Sequence, residues 1–245
     1  LRGRTTLRTG HDDVEVDEGW ISAMWEGAHR WPDHDVFGGR VLPLWPTSPP
    51  HVVLETKYTG VAYSILDPDL EEGPHPDFLP FGPNFAVRRE IFESGTRFDP
   101  DLGPRPGAYT MGGETELLER LRDRGANPIF LPASKVHHQI RSRQYDFRWL
   151  LARARKYGRS VAHRNVRGAP VQNGDSRAEV PRWMYWGVLE FGVRALGCVV
   201  VARLPAALEH AMEAAVEIGK IDILKRSRSG RQSGWPEGSA QSDSG

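Results

Sequence analysis

Cysteine is almost missing from this sequence: Cys198 stands alone among 245 residues. No internal disulfide can form, four-cysteine zinc sites are excluded, and a reducing compartment fits best. An excess of one charge is missing too. Lys plus Arg and Asp plus Glu each total 32, so the overall balance points neither to nucleic acid as a partner nor to an acidic tail. No repeat recurs at solenoid periods. No apolar run free of charge is long enough to cross a bilayer: the richest, WMYWGVLEFGVRALGCVVVARL from Trp183 to Leu204, is broken by Glu190, Arg194 and Arg203. That segment is expected to lie on a membrane surface or to pack on the domain. The opening LRGRTTLRTG has charges and no apolar core, so it is no secretory signal. Because it also starts at Leu1 rather than at a Met, the expectation is that the start of the protein is lost.

The length suits one sizeable domain, or one domain plus an appendage, rather than two full domains. Residues 11–60 mix short apolar runs with Trp, Gly and Pro and read as strands and loops. Residues 61–145 alternate loop, helix and strand, residues 146–224 read as largely helical, and RSRSGRQSGWPEGSAQSDSG from Arg226 reads as a disordered tail. Within the second zone, PFGPNFAVRREIFESG predicts a short strand and then a helix from about Arg88 to Gly95. FDPDLGPRPGAY is too rich in breakers for regular structure. ETELLERLRDRG predicts a helix with Leu117, Leu118 and Leu121 on one stripe, acids in its first turn, bases in its last, and Gly125 as the stop. Asn127–Pro132 and Val136–Ile140 read as two brief strands. DFRWLLARARKYG predicts a helix capped by Asp146 and closed by Gly158, and Pro205 opens another that ends near Gly219. Arg141, Arg143, Arg148, Arg153, Arg155, Lys156, Arg159, Arg164 and Arg167 crowd one region, which reads either as a solvated helix face or as a surface for phosphates or anionic lipid.

Two places carry residue types suited to chemistry. His11-Asp12-Asp13 sets adjacent carboxylates on a loop, where they repel one another unless a divalent cation or a base compensates. Met111-Gly112-Gly113-Glu114-Thr115-Glu116 sets two glycines and two carboxylates where a helix starts. Taken alone, the acids complement the helix dipole.

HDDVEVDEGWI, FGGRVLP, FGPNFAVRREIFESGTRFDPDLG, GGETELLERLRDRG and LPASKVHHQIRSR occur in the order and at roughly the spacings of the second half of family 2 glycosyltransferases. Over about residues 11–165 the chain resembles these inverting, nucleotide-sugar-dependent enzymes. The resemblance implies an α/β, GT-A-like fold, a partial Rossmann-like mixed sheet flanked by helices. The expected division is a partial GT-A domain over 1–165, a helical C-terminal extension over 166–225, and the tail.

It further implies that Glu114 is the general base that takes the proton of an acceptor hydroxyl, with Gly112 and Gly113 letting substrate approach the backbone and Glu116 nearby. Asp13 would hold Mg or Mn on the donor diphosphate, joined by His138, with Asp12 beside it as a substrate contact. His11 departs from the family's usual Asp. Gly38, Gly39 and Arg40 resemble a glycine pair near the donor sugar, and Asn84 resembles a pocket amide for sugar hydroxyls. Trp20, Trp25, Trp31 and Trp45 read as packing and not as sugar platforms.

The implied activity is metal-assisted transfer of a sugar from a nucleoside diphosphate to a glycan or lipid-linked acceptor, in polysaccharide or cell-envelope assembly. The expected setting is cytoplasmic, with peripheral association at the inner membrane face through the helices from Asp146 and Trp183. Two readings of other kinds stand beside it. One is an inactive remnant or partner-binding module, favoured by His11 and by only ten residues preceding it where the family has a nucleotide-binding half. TTLRTG in particular is not the buried apolar strand expected to lead into the Asp motif. The other is a metal-dependent hydrolase using Asp12, Asp13 and the His137-His138 pair.

Overall fold

A computed structural model describes residues 5–7, 13–100, 102–103, 111–168 and 180–228. His11, Asp12 and the tail beyond Arg228 lie outside the described residues, and so does most of the loop after Asp99. The chain is α/β, with a mixed sheet flanked by helices. Its strands are β1 (Thr5–Leu7), β2 (Val14–Val16), β3 (Val36–Leu44), β4 (Gly73–Pro74), β5 (Phe85–Arg88) and β6 (Ile129–Gln139). They run in the order β1-β5-β3-β6-β2, with β4 also on β6. Only the central pair β3 and β6 is parallel; every other pairing of named strands is antiparallel. The two brief strands expected around Pro132 are one, β6, whose register against β3 shifts between Gly39 and Arg40. An irregularity of this kind bends a strand without ending it. TTL does form a strand, which pairs with β5 at the edge of the sheet opposite β2.

Alternation along the strands decides which helix covers which face. Phe37, Val41, Ala86, Ile129, Leu131 and Val136 pack under helix α1 (Trp20–Arg30) through its Trp20, Met24 and Ala28. Spaced four and then four residues apart, those three make one stripe of the helix, so a stretch read as strands and loops is helical. Val36, Phe85 and Val87 point the other way, onto Leu117, Leu118 and Leu121. The helix bearing these leucines forms as expected. Two short helices, α2 (His51–Leu54) and α3 (Thr59–Tyr63), follow β3, and α4 (Arg89–Glu93) follows β5. The leucine-bearing helix is α5 (Gly113–Asp123), closed by Arg124 and Gly125.

Three longer helices complete the chain: α6 (Phe147–Gly168), α7 (Arg182–Val200) and α8 (Leu204–Arg228). Asp146 caps α6 as expected, its Oδ1 accepting the amides of Arg148 at 2.7 Å and Trp149 at 3.3 Å. Gly158 and Gly219 do not end their helices; they are where α6 and α8 cross. A β-carbon on Gly158 would stand 2.0 Å from the carbonyl oxygen of Val216, and one on Gly219 would stand 2.1 Å from that of Arg155. Beside the crossing, Leu150, Ala154, Leu208 and Met212 join Val53 and Tyr63 in a single core, so α8 packs on α2 and α3 as well as on α6.

The basic run on α6 is consumed in part here. Arg155 and Arg159 both donate to Asp222 of α8, at 2.7–2.9 Å. Burial opposes the charged form of Asp222, but the two guanidinium groups outweigh it and hold the carboxyl below its ordinary value. A group whose folded value is depressed stabilises fully above its unfolded value and loses that contribution as pH falls through the folded one. Asp222→Asn is therefore expected to cost about 1–2 kcal/mol at neutral pH, with the gap to wild type closing in acid. Urea melts across the acidic range measure both.

Candidate functional site

Two groupings of the expected residues emerge, on either side of α3. In the first, the antiparallel register of β2 on β6 sets Val14 opposite His138 and carries the preceding Asp13 beside it. His138 Nε2 lies 3.3 Å from Asp13 Oδ2, and its Nδ1 lies 2.6 Å from the carbonyl oxygen of Tyr63 at the end of α3. That carbonyl can only accept, so Nδ1–H donates to it and Nε2 is the nitrogen turned toward Asp13. Imidazole ligands are commonly oriented in this way, by a carbonyl behind them. His137 faces the other way, as the next residue on a strand must, and lies 2.7 Å from Asp17. The two histidines therefore do not share one site.

Asp13 and His138 supply one carboxylate and one imidazole. Among the described residues no group of three or more His, Cys, Asp or Glu side chains is placed to hold a metal ion. A two-donor set fits a cation that keeps water and substrate phosphate oxygens for the rest of its shell, as Mg and Mn do. The imidazole makes Mn the better match of the two, being the softer ion.

The second grouping surrounds Glu114. Helix α5 is preceded by its cap residue Gly112, whose φ of +91° is costly for residues with a β-carbon. A β-carbon there would also stand 2.5 Å from Ser160 Oγ of α6, so the start of α5 is pressed against that helix. Between them opens a cavity of about 270 Å³, lined by Glu114, Thr115 and Glu119 of α5, Arg153, Tyr157, Ser160 and Arg164 of α6, Val61 and Ser64, and Leu79, Phe81, Gly82 and Pro83. Glu114 is half-buried there and its carboxylate has no hydrogen bond or ion pair with a described residue. Glu119 is occupied by Arg164 at 2.8 Å, and Arg164 also donates to Ser160. Arg153 donates to the carbonyl of Ala62 and has no carboxylate partner among the described residues. Gly113, by contrast, has only ordinary contact with Leu102.

No protein-family model matches this chain, and no curated protein matches it in sequence. Its chemistry is therefore read from the side chains themselves.

Five expected substrate contacts are engaged with the protein instead. Asn84 is fully buried and uses its whole amide: Oδ1 accepts from Trp20 Nε1 at 2.9 Å and Ser134 Oγ at 3.1 Å, and Nδ2 donates to the carbonyls of Arg40 and Ser134. It pins α1, β3 and β6 together, with nothing left for a sugar. Gly38 and Gly39 admit protein rather than ligand, since added β-carbons would meet Pro80 at 2.5 Å and the Ser134 carbonyl at 2.1 Å. Glu116 takes Arg120 in a bidentate pair at 2.8 and 3.0 Å, on a side of α5 that does not line the cavity. Arg40 reaches Asp67 at 2.8 Å.

Asp13 and His138 do not line the Glu114 cavity. The link between the two groupings is the C-terminal turn of α3: the Tyr63 carbonyl holds His138, while Val61 and the left-handed Ser64 line the cavity. Sequence reasoning missed Arg153, Tyr157, Ser160 and Ser64 as cavity residues. Arg153 and Arg164 had stood out only as part of a basic run, and no local spacing joins residues 61–64 to 153–164.

Proposed function

We propose that the chain acts as a metal-assisted, inverting glycosyltransferase of GT-A fold, similar to family 2. The observation that carries this reading is Glu114: a carboxylate without a described partner, at the mouth of a helix, in a cavity able to hold a sugar. The mixed sheet with one central parallel pair, flanked by helices, is consistent with it.

In this reading Glu114 accepts the proton of an acceptor hydroxyl while that oxygen bonds to the anomeric carbon of the donor sugar. The bond from that carbon to the diphosphate oxygen breaks on the opposite face, so the configuration inverts and a nucleoside diphosphate departs. Asp13 and His138 would hold Mg or Mn, which supplies charge neutralisation for the leaving diphosphate. Arg153 offers the cavity a guanidinium suited to a phosphate or carboxylate on the acceptor, in keeping with a lipid-linked one. A cytoplasmic setting at the inner membrane face, where such acceptors lie, accords with this.

The inactive-remnant reading is favoured by one observation: the Asp13–His138 pair offers only two donors and stands outside the Glu114 cavity. Calorimetry on the full-length protein separates the two. The transferase reading predicts that a nucleoside diphosphate sugar binds in the presence of Mn and that Asp13→Asn weakens this at least about tenfold, within the usual range for loss of a metal contact. No binding of any nucleotide sugar, with or without Mn, would support the remnant.

A further inference from the structure

The outer face of α7 is apolar and uncovered. Trp186, Leu189, Val193, Leu196 and Val200 follow one another at alternating steps of three and four, so they form one stripe of the helix. They are 68, 55, 60, 69 and 84 % exposed. The stripe is not needed to seat the helix, because the opposite face does that: Met184 and Val188 pack with Ile221 and Leu224 of α8. A scattered exposed Leu is unremarkable on a protein surface, but a continuous stripe of this length marks a surface made to be covered. From Leu196 it continues into an apolar groove of about 520 Å³ floored by Leu150 and Leu208, with Phe147 and Leu204 at its lip.

Charge around the stripe identifies the cover. Arg182 lies at its start and Arg203 just past its end, and Arg143 and Arg148 flank Phe147 at the groove. These four are exposed and have no acidic partner among the described residues. The one acid on α7, Glu190, is tied to Arg194 at 2.6 Å. The nearby Glu209 and Glu213 of α8 are occupied by Lys57. A chain with no net charge thus sets cations without an acidic partner among the described residues around this apolar stripe. Trp183, Tyr185 and Trp186 gather at one end of the helix, the residue types favoured where hydrocarbon meets headgroups. No described helix is long and apolar enough to cross a membrane, so a bilayer would meet α7 lying flat.

We propose that α7 is an interfacial membrane-docking helix, which sinks the Trp186–Val200 stripe into an anionic leaflet while Arg143, Arg148, Arg182 and Arg203 engage lipid phosphates. The inference stands independently of sugar transfer. It is tested by co-sedimenting the full-length protein with vesicles of phosphatidylcholine plus phosphatidylglycerol and with vesicles of phosphatidylcholine alone. The expected result is binding to the anionic vesicles that falls at least about tenfold on neutral ones and is lost in the double variant Trp186→Glu, Leu196→Glu. Both substitutions face outward, and an unchanged circular-dichroism melt certifies the fold. Absence of binding to either vesicle overturns the proposal, and so does a double variant that binds as wild type does. A wild-type dimer that the double variant converts to monomer, with no vesicle binding by either, would assign the stripe to a second copy of the chain and likewise overturn it.

Discussion

Glu114→Gln is expected to lower turnover about 10²–10⁴-fold, the range that a positioned general base contributes, while donor binding stays close to wild type. The amide keeps the size of the side chain and can still accept a hydrogen bond through its oxygen, but it cannot take a proton. Binding should survive because Asp13 and His138, the residues proposed to serve the donor, lie across the α3 turn from Glu114 and do not line its cavity. The loss should therefore fall on kcat and spare the donor's Kd, the pattern of an interaction that matters only in the transition state. Glu116→Gln serves as the control. Its carboxylate is closed in a bidentate pair with Arg120, so its removal should lower stability slightly and leave kcat largely intact. Equal losses in the two variants would assign the helix start a dipole role and deny Glu114 a catalytic one.

Gly158→Val and Gly219→Ala are each expected to destabilise the protein by about 3 kcal/mol or more, at the upper end for overpacking. In most core overpacking a side chain moves aside. Here the added carbon would meet backbone, the Val216 carbonyl in one case and the Arg155 carbonyl in the other, so whole helices must separate. Separation also pulls Asp222 away from Arg155 and Arg159 and opens the core that Leu150, Ala154, Leu208 and Met212 share with Tyr63. For a chain of this size the shift in Tm is about 6–12 °C, read by calorimetric scanning. The two variants need not add, because each relieves the clash that the other creates at the same crossing. A shift below about 2 °C in both, less than one kcal/mol on the same scale, would mean that the helices do not cross there.

How much of this was legible in the sequence depended on whether the deciding contact was local. The α5 helix was readable because its leucine stripe, its acidic and basic ends and Gly125 all lie within thirteen residues of one another. The Asp146 cap was readable for the same reason. Gly158 and Gly219 were misread as stops because a glycine that ends a helix and one that lets another helix approach look alike in one dimension; the partner carbonyls lie about sixty residues away in the chain. β6 looked like two strands because Pro132 interrupts the apolar pattern, whereas the fold accommodates it at a register shift. Trp20, Met24 and Ala28 form a helical stripe that was visible in principle but obscured by the many Trp, Gly and Pro residues around it.

The site divides in the same manner. Glu114 beside Gly112 is a local pattern, and it leads to a cavity. Asp13 beside His138 required two segments 125 residues apart, and only the resemblance to family 2 joined them ahead of the structure. Asn84 shows the opposite failure: an amide before a strand looks like a sugar ligand until its four hydrogen bonds to Trp20, Ser134 and Arg40 are traced. Arg153 and Tyr157, which reach the cavity where α6 meets the start of α5, had no signal beyond the basic run and the helical period of α6.

The most direct test of sugar transfer is to follow nucleoside diphosphate release by the full-length protein from a panel of nucleotide sugars, with Mn, in the presence and absence of hydroxyl-bearing acceptors. Release that requires both Mn and acceptor, matches glycosylated product one for one and disappears in Glu114→Gln is the predicted result. Release at the same rate without acceptor, yielding free sugar, or no release from any donor, would contradict it.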